Sequence, residues 1–157
     1  MSPIVIPFNP SKLGRVRFFA DVSTGNRKSL KSIQFKLDTG SDFTTLSCKD
    51  LGILGYTREF LESRPFHEND AVFGDNVTTS PIRYIRDVSI KFDDRELQGC
   101  RIFFALDTEL QSFFGSDLLK YFNIEINNDA HELRLTTCVN KPSLASGETP
   151  IHIYSLS

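Results

Sequence analysis

The stretch that leads into residues 38–41 constrains the fold of this chain more than any other part of the sequence. Ile33, Phe35 and Leu37 alternate with polar residues, a spacing typical of a β-strand with one buried face. The strand ends at the turn Asp38-Thr39-Gly40-Ser41. Asp, Gly and Ser are common in turns for conformational reasons alone, so the tetrapeptide by itself is either an ordinary turn or helix start, or a functional turn.

A second segment adds weight to the functional interpretation. It combines two aromatic residues, a glycine and a short amphipathic stretch, and it reads Phe113-Phe114-Gly115-Ser116-Asp117-Leu118-Leu119. Ser116 or Asp117 is a candidate N-cap for a short helix running through Phe122. The segment resembles the apolar-apolar-glycine stretch and short helix that support the active-site turn in retroviral-type aspartic proteases, so the joint occurrence of the two segments favours a functional turn over coincidence.

Most of the remaining sequence predicts β-structure. Val16 to Val22 and Ser32 to Leu37 flank the turn residues Ser23-Thr24-Gly25-Asn26 and predict a hairpin. Three further hairpins follow along the chain: Ala71 to Thr79 around Gly74-Asp75-Asn76, Val88 to Phe92 with Leu97 to Phe104, and Ile124-Glu125-Ile126 with Leu133-Arg134-Leu135. Short helical turns are predicted from Ser47 to Leu54 and from Thr57 to Leu61.

Composition sets the class of protein. With 157 residues, 39% hydrophobic and 24% charged, the chain predicts one globular domain. A net charge of −2, with scattered Lys and Arg, argues against a nucleic-acid partner. No apolar run approaches the roughly 20 residues that span a bilayer, so we expect no membrane partner and a cytoplasmic location.

Cysteine and histidine give no local signature of a site. Cys48, Cys100 and Cys138 are widely spaced, as are the histidines His67, His131 and His152. Reduced thiols are the simplest interpretation, and neither a metal site nor another cofactor is implied.

A functional Asp38 would hydrolyse peptide bonds together with a second carboxyl group, and its chemistry follows from what such a pair can do. Two carboxylates in contact cannot both ionise, so one acts as a base toward water while its protonated neighbour acts as an acid. In such a turn Thr39 supplies a hydroxyl that can tie two turns together. Gly40 permits close backbone approach, and Ser41 can donate a hydrogen bond to the carboxylate.

Together the two segments make the chain resemble the retropepsin-like (retroviral-type, single-domain) aspartic proteases, over roughly Val16 to Thr136. The resemblance implies an all-β, acid-protease closed barrel with one or two short helices and one lobe per subunit. It also implies a homodimer in which each subunit contributes one aspartate, and an extended peptide substrate closed over by a flap. Asp38 would be catalytic, with Thr39, Gly40 and Ser41 as the active-site turn. Substrate contacts would come from Asp42, Phe113 and a flap at Phe73, Gly74 and Asp75.

The chain departs from that family at three places. Lys36 stands where these enzymes usually place an apolar residue facing the substrate, which suggests an acidic substrate side chain or a partly filled cleft. Ser116 stands where retroviral relatives often carry an arginine that pairs with the carboxylate corresponding to Asp42. The stretch from Cys48 to Asp70 is longer than in the most compact relatives.

The domain organisation predicted on this basis has three parts. Residues 1–15 form an N-terminal arm, 16–137 the protease domain, and 138–157 a linker with a C-terminal strand or tail. Ile4-Val5-Ile6 and Ile151 to Tyr154 are either frayed tails or strands that pair across a dimer axis. Two other functions stay open: a non-catalytic peptide-binding or dimerisation module on the same fold, and a structural domain with a coincidental turn.

Overall fold

The chain folds mainly into β-strands, with three short helices among the residues described. The structure, a computed structural model, describes residues 2–24, 30–72 and 77–156. The strands are β1 (Ile4–Pro7), β2 (Arg17–Thr24), β3 (Lys31–Leu37), β4 (Ala71–Val72), β5 (Thr79–Ser80), β6 (Arg83–Phe92), β7 (Arg95–Phe104), β8 (Phe113–Phe114), β9 (Phe122–Asn127), β10 (Glu132–Thr137) and β11 (His152–Ser155). The helices are α1 (Cys48–Ile53), α2 (Arg58–Glu62) and α3 (Ser116–Leu119).

A six-stranded sheet in the order β11-β7-β6-β2-β3-β8 forms the body of the fold. The predicted hairpins β2–β3 and β6–β7 are confirmed, and both are antiparallel. Alternation places one face of each strand in the core, where the ring of Phe18 lies 6.1 Å from that of Phe35 and 5.6 Å from that of Phe114. Ser23 and Thr24, predicted as part of the turn Ser23-Thr24-Gly25-Asn26, are instead strand residues that pair with β6. Gly25 and Asn26 lie outside the described residues.

β8, at one end of this sheet, is linked beside Asp38 to β7, the second strand from the other end. β8 pairs with β3 in parallel, and Thr45 forms one bridge to Phe113 of β8 and another to Phe103 of β7. The sheet therefore curls round on itself, as an acid-protease barrel requires.

A three-stranded sheet in the order β1-β10-β9 contains the predicted hairpin β9–β10. Both terminal strands pair within their own chain: β1 with β10, and β11 with β7. The alternative of frayed tails is therefore wrong for β1 and β11, whereas pairing of Ile4-Val5-Ile6 and Ile151 to Tyr154 across a dimer axis stays a prediction, because β1 and β11 are both edge strands. β1 pairs with β10 in the register that places the side chains of Ile4 and Ile6 in the core, where they are 2% and 5% exposed.

The helices begin where short polar side chains can accept backbone N–H bonds. Ser47 Oγ accepts from the N–H of Asp50 and Thr57 Oγ1 from the N–H of Phe60, so both predicted helical turns are confirmed. α3 differs from expectation: its N-cap is Gly115, without a side-chain bond, and it ends at Leu119. Phe122 instead begins β9, where it pairs with Thr137.

The segment between β10 and β11 packs back onto the domain. The Lys120 ammonium lies 2.6 Å from Glu148 Oε1 and donates to the carbonyl oxygen of Ser143 at 2.9 Å. In the described part of the chain, no helix combines the length and the apolar character needed to cross a bilayer.

Candidate active site

Asp38 lies just beyond β3, at the point where β3 meets β8. Its backbone N–H donates to the carbonyl oxygen of Phe114 at 3.1 Å. Its side-chain Oδ1 accepts from the N–H of Gly40, also at 3.1 Å. The residue is half-buried, so the carboxyl group is held by backbone yet remains open to solvent.

The turn is supported from behind by the loop that follows β8. The N–H of Ser41 donates to the carbonyl oxygen of Asp38 at 3.2 Å, and the carbonyl oxygen of Ser41 accepts from the N–H of Ser116 at 2.8 Å. Gly115 fits closely against this turn: a Cβ there would lie 2.4 Å from the carbonyl oxygen of Phe43 and 2.9 Å from that of Ser41. The site therefore requires a glycine at position 115.

Two roles expected of the turn residues look different in the structure. The Ser41 hydroxyl donates to the carbonyl oxygen of Phe43 at 2.8 Å rather than to the Asp38 carboxylate, because the chain bends back over it. A Cβ on Gly40 would meet Asp38 Oδ1 at 3.4 Å, an ordinary contact, so nothing within the described part of this chain crowds that position. Thr39 and Gly40 are both exposed.

A buried hydroxyl and a carboxyl group connect the turn to α3. Thr44 Oγ1 donates to Asp117 Oδ1 at 2.6 Å and accepts from the N–H of Gly115 at 3.1 Å. Burial raises the pKa of Asp117 to about 6, against an ordinary value of 3.8, although the hydrogen bonds from Thr44 and from the N–H of Leu118 act in the opposite direction. Sequence reasoning assigned Thr44 no role and Asp117 only a capping role. The signal in the sequence for a buried carboxyl group was the position of Asp117 among the apolar residues Phe114, Leu118 and Leu119.

A cavity of about 620 Å³ opens beside Asp38. The predicted substrate-binding residues Asp42 and Phe113 line the same cavity as Asp38, Gly40 and Ser41. Four other lining residues were not predicted from the sequence because they belong to no motif, namely Phe43, Thr45, Asp70 and Leu110.

The candidate flap is described only at its base. β4 and β5 pair antiparallel, with Ala71 opposite Ser80 and Val72 opposite Thr79, as the predicted hairpin requires. Val72 lines the cavity and is 61% exposed. The tip residues Phe73, Gly74 and Asp75 lie outside the described residues, so their assignment stays a prediction.

The described residues can also be compared with what metal and thiol sites require. Within residues 2–24, 30–72 and 77–156, no group of three His, Cys, Asp or Glu side chains is placed to hold a metal ion. Cys48, Cys100 and Cys138 are free cysteines, and burial raises the pKa of the Cys100 thiol, which disfavours its nucleophilic form. Asp38 remains the candidate for the chemistry of this site.

Comparison with known proteins supports the architecture. The sequence matches no protein-family model, and no curated protein matches it. Among solved structures, the fold is similar to that of a retropepsin-like aspartic protease from Rickettsia conorii, with a TM-score of 0.55. The two chains are 21% identical, and the match covers 85% of this chain and 88% of the other. The all-β, retropepsin-like fold predicted from the sequence is thus confirmed, and function must be argued from the site.

Proposed function

We propose that the protein is an aspartic endopeptidase whose two catalytic carboxyl groups come from Asp38 of two identical subunits. The observation that carries this proposal is the half-buried Asp38 carboxyl at the edge of an open cavity of about 620 Å³. The N–H of Gly40 donates to this carboxyl group, and the carbonyl oxygen of Phe114 accepts from the backbone N–H of Asp38, on a fold shared with an aspartic protease.

The need for a second copy follows from the reaction. Peptide hydrolysis by carboxyl groups requires one ionised and one protonated partner in contact, so that a water molecule held between them can attack the scissile carbonyl. The sequence contains one Asp-Thr-Gly turn; Asp107-Thr108 is followed by Glu109 instead of glycine. The exposure of Thr39 and Gly40 leaves this turn open to the same turn of a second subunit.

The sheet β1-β10-β9 offers a surface for that second subunit. Ile124 and Ile126 of β9 pair with Leu135 and Leu133 of β10, so all four point to the same side of the sheet. Leu133 and Leu135 are buried, whereas Ile124 and Ile126 are 36% and 43% exposed. β9 is also an edge strand of its sheet. An uncovered apolar edge of this kind favours association, here with a second copy.

In this mechanism the peptide binds in an extended form along the cavity and pairs with backbone at its walls. The hairpin based on β4 and β5 would act as the flap, with Phe73, Gly74 and Asp75 at its tip. Asp42 and Phe113 would contact the substrate on either side of the catalytic carboxyls. Closure of the flap would exclude solvent from the reacting water and carbonyl.

The test is cleavage of a peptide library from pH 4 to pH 7, read by mass spectrometry, for the wild type and Asp38→Asn. The near-isosteric change removes the ionisable group, so we expect the rate to fall by at least about 10³-fold, within the range of about 10²- to 10⁴-fold that acid–base catalysis contributes. Sedimentation and circular dichroism should show the same dimer and the same fold for both proteins.

A folded wild-type dimer that cleaves nothing over this range would contradict the protease proposal. If that dimer still binds extended peptides, the non-catalytic binding module is the better description. A wild-type monomer without peptide binding would favour a structural domain.

A further inference from the structure

Lys36 lies within reach of the cavity that holds Asp38. It is the second residue before Asp38 and pairs with Phe113 in the parallel contact of β3 with β8. Its Nζ lies 5.4 Å from the centroid of the Phe113 ring, and that ring lines the Asp38 cavity. A group that packs on Phe113 inside the cavity is therefore close to the Lys36 ammonium.

A second cavity of about 510 Å³ lies on the other side of this contact. Three basic residues line it, Arg17, Lys36 and Lys49, and Leu110 lines both cavities. Arg17 and Lys36 face each other directly across the β2–β3 ladder. Like charges placed opposite each other in a sheet repel, so a bound anion would stabilise this pair.

The acidic residues of the second cavity do not neutralise these cations fully. Asp50 and Glu109 also line it. The Asp50 carboxylate accepts a hydrogen bond from the Ser112 hydroxyl, and Glu109 is exposed. In the part of the chain that the structure describes, no ion pair involves Arg17, Lys36 or Lys49. The three cations against two carboxylates leave an excess of positive charge next to the Asp38 cavity.

We propose that Lys36, supported by Arg17, forms a carboxylate-binding subsite, so that the preferred peptide carries Glu or Asp next to the scissile bond. This inference rests on the function proposed above. The methylene groups of the substrate side chain would pack on the Phe113 ring, and its carboxylate would accept from the Lys36 ammonium. Because two-fold symmetry presents every subsite twice, the preference is expected on both sides of the scissile bond.

The test uses matched peptides that differ only at that position, with Glu, its neutral isostere Gln, or Leu. Lys36→Met keeps the length and the apolar stem of the side chain and removes the charge. Lys31→Met is the matched control, because it changes an exposed lysine at the opposite end of the same strand. For the wild type we expect kcat/KM to be about tenfold higher for Glu than for Gln, as for other hydrogen bonds to charged groups.

The preference should disappear in Lys36→Met, persist in Lys31→Met and weaken as NaCl is raised, since salt screens the attraction between charges. If cleavage depends on Asp38 but the Glu and Gln peptides are cleaved at equal rates, the subsite proposal is wrong and the protease proposal is still supported. Affinity of the same peptides for Asp38→Asn, with and without Lys36→Met, tests the subsite without turnover. If the Glu peptide binds more tightly and this depends on Lys36, while the wild type cleaves nothing, the subsite is supported and the protease rejected.

Discussion

At the scale of single residues, the Asp38 turn is held from behind by a few small groups. Thr44 links the N–H of Gly115 to the Asp117 carboxyl, and Ser116 donates its N–H to the turn. Among these residues, Asp117 is the one whose charge changes near pH 6, because its pKa is raised to about 6. Its protonation state therefore bears on stability independently of catalysis.

Asp117 should make the protein less stable as the pH rises. Its pKa is raised to about 6 in the folded protein and lies near 3.8 when unfolded, so the folded state favours the protonated form. The stability this provides is complete below about pH 4 and is lost as the pH rises through about 6. In Asp117→Asn an amide oxygen can still accept from Thr44. Relative to this variant, the wild type should lose about 1–3 kcal/mol of unfolding free energy between pH 4 and pH 7.5.

Urea denaturation at both pH values and one fixed protein concentration measures the difference. Asp129→Asn, an exposed carboxyl in the β9–β10 turn, serves as the control and should show no such pH-dependent gap. An equal effect of Asp117→Asn at pH 4 and pH 7.5 would contradict the role assigned to burial.

At the scale of elements, the site depends on how closely the loop between β8 and α3 approaches residues 41–43. Gly115 is the point of closest approach, because its missing Cβ makes room for the carbonyl group of Phe43. The parallel pairing of β3 with β8 is only two residues long, so the contacts of this loop carry much of the alignment.

Gly115→Ala should disrupt this packing. The added methyl would lie 2.4 Å and 2.6 Å from the carbonyl oxygen and carbon of Phe43. These are backbone atoms, so relieving the overlap requires a shift of the main chain that costs stability. We expect a loss of about 2–4 kcal/mol in the free energy of unfolding, together with lower activity. Gly52→Ala is the matched control: Gly52 is a helical residue in α1, and a Cβ there meets nothing within 4 Å.

Gly52→Ala should raise stability by about 0.5–1 kcal/mol, because alanine restricts the unfolded chain and favours helix. Chemical denaturation of both variants gives the comparison. If Gly115→Ala is as stable as the wild type, the loop between β8 and α3 can move away from the turn, and the close packing assigned to Gly115 is not required.

At the scale of the whole molecule, the proposed activity requires an assembly that one chain cannot provide. Ile126 lies on the uncovered part of the β1-β10-β9 sheet, 43% exposed. A lysine there should be tolerated by the isolated subunit but should place a charge in the proposed interface.

Ile126→Lys is therefore expected to weaken the dimer by at least about tenfold and to reduce activity in proportion. Analytical ultracentrifugation over a range of concentrations measures the first effect and peptide cleavage the second. Val139→Lys, at a position that is 99% exposed, controls for an added charge on an apolar surface residue. A fully active Ile126→Lys dimer would exclude β9 from the interface.

The elements with a clear period and their pairing in local hairpins could be predicted from the sequence, whereas their partners distant in the sequence could not. Alternating residues identified the hairpins β2–β3, β6–β7 and β9–β10, since a half-buried strand imposes a period of two. The same reasoning left open where the chain ends go, because β1 and β11 find their neighbours through contacts distant in the sequence. The end of α3 was also misjudged, since Phe122 is drawn into β9 by its pairing with Thr137.

The candidate site divides in the same way. The sequence by itself determined the Asp38-Thr39-Gly40-Ser41 turn at the end of a strand and the Phe113-to-Leu119 segment that supports it, because turn chemistry and strand period are local properties. Only the tertiary structure decided that Asp42, Asp70 and Phe113 share one cavity with Asp38, that the Ser41 hydroxyl turns to Phe43, and that Lys36 lies beside Phe113. The physical reason is that cavities and charge neighbours arise from long-range packing, which brings together residues that no local spacing relates.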